Sequence, residues 1–201
     1  MAEPKCPPLI LASASPRRRE LLTGAGVRFE VQPADISERA LPDESPEEMA
    51  LRLAREKALA VARRVGPDPR RYALAADTVV VVDGVAFGKP ENGAHAVALL
   101  RQLVGRSHRV VTAVALAESD SLAVRDLRVE SCVRMRSATV DELRAYVAEG
   151  ESLDKAGGYA VQGGGRRFID DIEGSESNVI GLPLSETLDL LRASGFGPGD
   201  A

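Results

Sequence analysis

The chain has 201 residues, 44% of them hydrophobic and 28% charged, which excludes a disordered polymer and suits one generous domain or two small lobes sharing a core. Its formal net charge of −4 provides no general basic field for coating a nucleic acid or an anionic membrane. No apolar run approaches the roughly 18 residues of a spanning helix, and the start "MAEPKCPP" lacks the apolar core of a secretory signal. A cytoplasmic protein is therefore expected. Cys6 and Cys132 have no metal-ligand spacing, and a reducing compartment disfavours a disulfide between them, so both read as structural or incidental thiols.

In chain order, "PLILA" reads as a short buried strand, and "SASP" supplies a cap serine with a proline for the first helical position. Arg17, Arg18 and Arg19 then add positive charge where the backbone N–H groups of a helix start are already positive. Two readings stand: a solvated basic face, or an anion site in which a phosphate resolves the conflict. From Ser45, "SPEEMALRLAREKALAVARRV" begins with a cap serine, a proline and first-turn glutamates. Leu51, Ala54, Ala58, Val61 and Val65 recur at helical spacing, so this is an amphipathic helix.

"YALAADTVVVVDGVAFGKP" reads as a buried strand, an Asp83-Gly84 hairpin turn and a return strand. "ENGAHAVALLRQLVGR" is a helix stopped by Gly105, "HRVVTAVALAE" and "LAVRDLRVESCVRM" are two strands, and "TVDELRAYVAEG" is a helix with a Thr139/Glu142 capping box. A loop-rich stretch, "ESLDKAGGYAVQGGGRRFIDDIEGSESNVIGLP", precedes a last helix, "LSETLDLLRAS", closed by Gly195. Fraying is expected over 1–8 and 197–201. Strands and helices mix with several antiparallel connections, which argues for a mixed α/β architecture.

Asp77 is the strongest anomaly, a carboxylate inside the apolar run "ALAADTVVVV". Burying it is costly without a partner, a metal or a solvent-filled cleft. It is either a structural aspartate tying down a loop or a general base or metal ligand. A two-residue turn at Asp83-Gly84 sets Val82 opposite Val85 and, counting back, Thr78 opposite Lys89, with Asp77 beside that pair. In "DKAGGYAVQGGG", Lys155 offers a compact charge suited to phosphate, and Gln162 offers an amide matching the carbonyl and N–H edge of uracil or thymine. Most glycine-rich loops are only turns, however. His95 and His108 have neither zinc spacing nor a nucleophile partner. Glu38, in the polar "DISERAL", fits a solvent-exposed position as well as a functional one.

Taken together, "SASPRR", "LAREKA", "AADTVV", "GKP", "LDKAGGYAVQG" and "GSESNVIGLP" resemble the Maf family of nucleoside-triphosphate pyrophosphatases, in the family's order from about Leu9 to Leu191. "AADT" with "DKAGGYAVQG" resembles the branch acting on dTTP and UTP rather than that acting on 7-methyl-GTP. The resemblance implies an inosine-triphosphatase-like mixed α/β fold, a single domain of two lobes flanking a cleft, homodimers and a divalent cation, Mg²⁺ or Mn²⁺. It gives Asp77 the proton-acceptor role, and Arg17, Thr78 and Gln162 a part in substrate preference. Ser13, Arg18, Lys57, Lys89 and Lys155 match substrate-binding positions, and Glu38, with Asp77, a metal position. "ESCVRMR" departs from the family pattern: Ser131 keeps a hydroxyl, whereas Arg134 and Met135 are unusual.

The expected reaction is cleavage of dTTP or UTP, and of modified pyrimidine nucleotides, between the α and β phosphates, with no nucleic acid or membrane as partner. The rivals are a nucleotide-binding regulator of septum formation without turnover, and a nucleotidyl transferase with an acceptor other than water.

Overall fold

The computed structural model describes residues 9–196; the fraying expected over 1–8 and 197–201, and Cys6, lie outside them. The chain opens with β1 (Leu9–Leu11), α1 (Pro16–Gly24), β2 (Glu30–Val31), α2 (Pro46–Val65), β3 (Tyr72–Val82) and β4 (Val85–Phe87). It continues through α3 (Gly93–Leu103), β5 (Ser107–Glu118), β6 (Val124–Met135), α4 (Val140–Ala148), β7 (Ile169–Glu173), α5 (Glu176–Ile180) and α6 (Leu184–Ala193). The strands form one sheet of order β2-β1-β3-β5-β6-β7, with β4 added to β3. β1 runs parallel to β2 and β3, whereas β3–β4 and β6–β7 are antiparallel. This is the mixed α/β architecture that the sequence predicts.

Two compact units divide the chain. The first comprises the described residues up to Asp77, Thr112–Val129 and those from Gly181; the second comprises Thr78–Val111 and Glu130–Ile180. Each buries its own apolar cluster. In the first unit Leu9, Leu11, Leu22, Leu74, Leu116 and Leu191 pack together; in the second Leu100, Leu103, Val133, Leu143, Tyr146 and Phe168 do so. β3 passes from one unit to the other at the Asp77–Thr78 peptide.

α2 forms for the reasons visible in its sequence. Ser45 Oγ accepts the Glu48 N–H at 3.3 Å, and the Glu48 carboxylate accepts the Ser45 N–H at 2.9 Å, completing a capping box ahead of Pro46. Glu47 and Glu48 in its first turn and Arg63 and Arg64 in its last oppose the helix dipole. Its buried stripe is Ala50, Leu53, Ala54, Lys57, Ala58, Val61 and Ala62. Leu51 and Val65, expected within that stripe, lie at its half-buried margin. A lysine thus occupies a position that the helical period assigns to the core.

The hairpin register is as counted, Val82↔Val85 through Val80↔Phe87. Asp83 and Gly84 both have positive φ, 50° and 80°, which a type I′ turn requires. β4 ends at Phe87, two residues short of Lys89, so the ladder does not reach the expected Thr78–Lys89 pair.

The stretch expected to be loop-rich holds β7 and α5. β7 is a short polar strand, Ile-Asp-Asp-Ile-Glu, paired to β6 with an irregularity between Arg134 and Met135. The unusual residues of β6 follow its two-residue period. Arg134 points to solvent and pairs with Asp171 at 3.5 Å, while Met135 is buried in the second unit's core.

Candidate active site

In the first unit, β3 and α2 bring two buried charges together. Asp77 and Lys57 are each 8% exposed. Lys57 Nζ donates to Asp77 Oδ1 at 2.6 Å and lies 2.6 Å from Glu38 Oε1. Glu38 belongs to the irregular segment between β2 and α2, and its side chain is 53% exposed. Asp77 is thus paired with Lys57 on the helix, and Lys89, which the hairpin count sets opposite Thr78 and beside Asp77, is exposed. Burial pushes the Asp77 carboxyl above its ordinary value of 3.8, against the pull of Lys57 and Arg18 and with a smaller push from Glu38. A carboxylate with raised proton affinity, held in place by an ammonium, is equipped to take a proton from water.

The helix start beside it is braced differently from its sequence reading. Ser15 occupies the cap position of α1 and Pro16 opens the helix, yet Ser15 makes no side-chain cap bond. Ser13 Oγ instead accepts the Ser15 N–H at 3.2 Å and Arg18 Nη1 at 3.2 Å. Arg18 Nε donates to the Gly181 carbonyl at 2.8 Å. The expected arginine cluster is thereby sorted: Arg18 is half-buried and oriented by two oxygens, Arg17 is half-buried, and Arg19 is exposed. Burial lowers the Arg18 pKa, opposed by the field of Asp77. Gly181 comes from "GSESNVIGLP", whose contribution here the sequence did not disclose.

The second unit holds the other predicted residues. Lys155 Nζ donates to the Glu151 carbonyl and to Asp154 Oδ1, both at 2.6 Å. Thr78 is half-buried, and Lys89 and Gln162 are exposed. The glycine loop between Lys155 and Gln162 is firmly seated. Gly157, at φ 70°, donates to the Gly88 carbonyl at 3.1 Å, and a Cβ there would meet Val80 and Leu103 at 3.2–3.3 Å. Tyr159 Oη lies 2.7 Å from His108 Nε2, and Tyr146 Oη accepts the Ala160 N–H at 3.1 Å. His108, set aside by sequence as a nucleophile partner, is a buried neutral ring whose pKa burial pulls down to about 4.

A hydroxyl at 131 matters to this unit. Ser131 Oγ donates to the Ser175 carbonyl and accepts the Ser175 N–H and Asn178 Nδ2, all at 3.0 Å. The sequence singled out Ser131 only as a retained hydroxyl, and the buried Asn178 as nothing at all.

Among the described residues no three or more His, Cys, Asp or Glu side chains gather into a metal cage. The donor set nevertheless fits one hard cation, because Glu38 and Asp77 direct carboxylate oxygens at a single centre of positive charge, Lys57 Nζ. Mg²⁺ is commonly held by one or two carboxylates with substrate phosphates completing its shell.

A mixed α/β sheet thus carries a buried Asp77–Lys57 pair, joined by the exposed Glu38, in the same unit as an arginine oriented by two oxygens. The chain belongs to the Maf family: the family model described as Maf-like protein matches residues 8–194. A dTTP/UTP pyrophosphatase of Anaeromyxobacter dehalogenans strain 2CP-1 is 47% identical over 192 residues, covering 94% of this chain and 95% of that protein. Those of Geotalea uraniireducens and Escherichia coli O157:H7 are each 46% identical, covering 93% and 91% of this chain and 95% and 91% of their own lengths. Among solved structures, a HAM1 protein from Coxiella burnetii aligns over 94% of this chain and 100% of its own, with 18% identity and a TM-score of 0.45. No helix among the described residues is long and apolar enough to cross a membrane.

Proposed function

We propose that this chain is a nucleoside-triphosphate pyrophosphatase that hydrolyses dTTP and UTP to the monophosphate and pyrophosphate. One observation carries the reading: Asp77 is a buried carboxylate of raised proton affinity, oriented by Lys57. The dTTP/UTP pyrophosphatases nearly half identical to this chain along more than nine-tenths of both chains support the substrate class.

Asp77 accepts a proton from a water that attacks the α-phosphorus in line. The α–β anhydride bond breaks, and pyrophosphate leaves with the bonding electrons. Arg17, Arg18, Lys57, Lys89 and Lys155 neutralise phosphate charge, with Ser13 holding the Arg18 fork. Glu38 and Asp77 would hold a divalent cation, Mg²⁺ or Mn²⁺, which supplies further neutralisation at the phosphate oxygens. Gln162, with Thr78 and Arg17, sets the preference for a uracil or thymine edge.

The test is a panel of UTP, dTTP, CTP, ATP and GTP with Mg²⁺ or Mn²⁺, followed by product analysis. Monophosphate and pyrophosphate from UTP and dTTP are expected. Nucleotide binding without either product, or transfer to an acceptor other than water, rejects the reading.

A further inference from the structure

Lys57 stands where a cation belongs. Its ammonium is the shared partner of Glu38 and Asp77, 2.6 Å from an oxygen of each, at the end of a stem buried in the core-facing stripe of α2. A Mg²⁺ ion would bind those oxygens at about 2.0–2.1 Å, and it cannot share them with an ammonium without direct like-charge repulsion. The ammonium is a compact charge on a flexible stem, able to leave the carboxylates for a phosphate while the helix stays in place. Glu38 comes from irregular chain, and its ion pair with Lys57 joins it to the carboxylate on β3.

We propose that Lys57 is a resident counter-ion that blocks the cation position in the nucleotide-free protein, so that the divalent cation binds only when a triphosphate draws the ammonium away. The inference rests on the assignment of Glu38 and Asp77 as cation ligands. Its functional content is an order of events: free cation is refused, and cation and nucleotide enter together.

The experiment measures Mn²⁺ binding by electron paramagnetic resonance, without turnover, on the wild type, Lys57→Met, Lys57→Arg and the double variant Lys57→Met/Glu38→Gln. Losing a charge-assisted hydrogen-bonded competitor should tighten nucleotide-free Mn²⁺ binding on the order of tenfold or more in Lys57→Met. Lys57→Arg keeps the positive charge and should stay as weak as the wild type. Adding an α,β-methylene analogue of UTP should give the wild type tight Mn²⁺ binding. Unchanged or weaker binding by folded Lys57→Met overturns the proposal while leaving the pyrophosphatase reading intact. A gain that survives in the double variant overturns the ligand assignment itself. Should Lys57→Met fail to fold, ¹³C-lysine NMR of the wild type decides: a Lys57 Cε resonance that moves with Mg²⁺ and the analogue together supports the exchange, and one displaced by Mg²⁺ alone refutes it.

Discussion

Arg18 and Gly181, separated by 163 positions, are joined by a 2.8 Å hydrogen bond from the guanidinium Nε to the backbone carbonyl. With Ser13 Oγ on Nη1, this bond aims one member of an arginine triplet and sets it apart from its neighbours. The three arginines should therefore respond differently to truncation. Arg18→Ala should lose both nucleotide affinity and about 1–3 kcal/mol of stability, since its bonds are charge-assisted and half-buried. Arg17→Ala should chiefly raise KM, and Arg19→Ala, at an exposed position, should do little to either. Equal effects of all three in parallel KM and urea-unfolding measurements would return the triplet to a diffuse basic face.

Asp77→Asn should keep the fold and reduce kcat by about 10² to 10⁴, the usual contribution of a positioned base. Pyrophosphate release measured beside circular dichroism checks this, and a loss under about tenfold rejects the role. Because burial holds Asp77 above 3.8, the acid limb of kcat/KM in the wild type should lie above that value. The residual activity of the asparagine variant should lack that limb.

His108 makes a separate prediction about stability. Its folded pKa of about 4 lies below the ordinary 6.5, so the folded state refuses a proton that the unfolded state accepts. The stabilisation is complete above pH 6.5 and is lost as pH falls toward 4, up to about 3 kcal/mol at 1.36 kcal/mol per pH unit. Urea unfolding at pH 7 and pH 4.5 should show a smaller acid-induced loss in His108→Gln than in the wild type. Identical losses would remove His108 as a cause.

Base selectivity should reside in Gln162. Its amide matches O4 and N3–H of uracil or thymine and meets exchanged donor and acceptor positions on cytosine. Gln162 is exposed in the structure; once a bound base covers it, each unpaired polar group costs about 1–3 kcal/mol, enough for roughly ten- to a hundredfold discrimination. UTP and dTTP should be turned over well and CTP poorly, with Gln162→Ala narrowing the gap by losing activity on the preferred pair. Equal kcat/KM for UTP and CTP in the wild type would end the base-reading role and leave the hydrolase assignment standing.

Much was legible along the chain because its signals are local. The capping boxes of α2 and α4 and the positive-φ turn at Asp83-Gly84 act within four residues of themselves. Sequence suffices to place them. Asp77 announced itself the same way, since a carboxylate in an apolar run carries a desolvation cost whatever its surroundings. β2, β7 and α5 were not legible. β2 has two residues, β7 sets adjacent aspartates in an exposed strand, and α5 has five residues; the edges of β1 and β6 make the two strands possible.

By itself, then, the sequence determined the helices other than α5, the hairpin register and the presence of one carboxylate whose burial demands compensation. Only the tertiary structure decided what compensates it. Helical period put Lys57 on the core face, but nothing local distinguishes it from a lysine covering apolar surface with its stem. The hairpin count brings Lys89 beside Asp77 along the chain and says nothing of Lys57. The packing of α2 against β3 brings Lys57 Nζ to 2.6 Å from Asp77, across 20 positions of chain, and the ion pair with Glu38 adds the second carboxylate. Ion pairing falls off with distance in space and has no period along a chain, so the identity of the partner is a property of the fold.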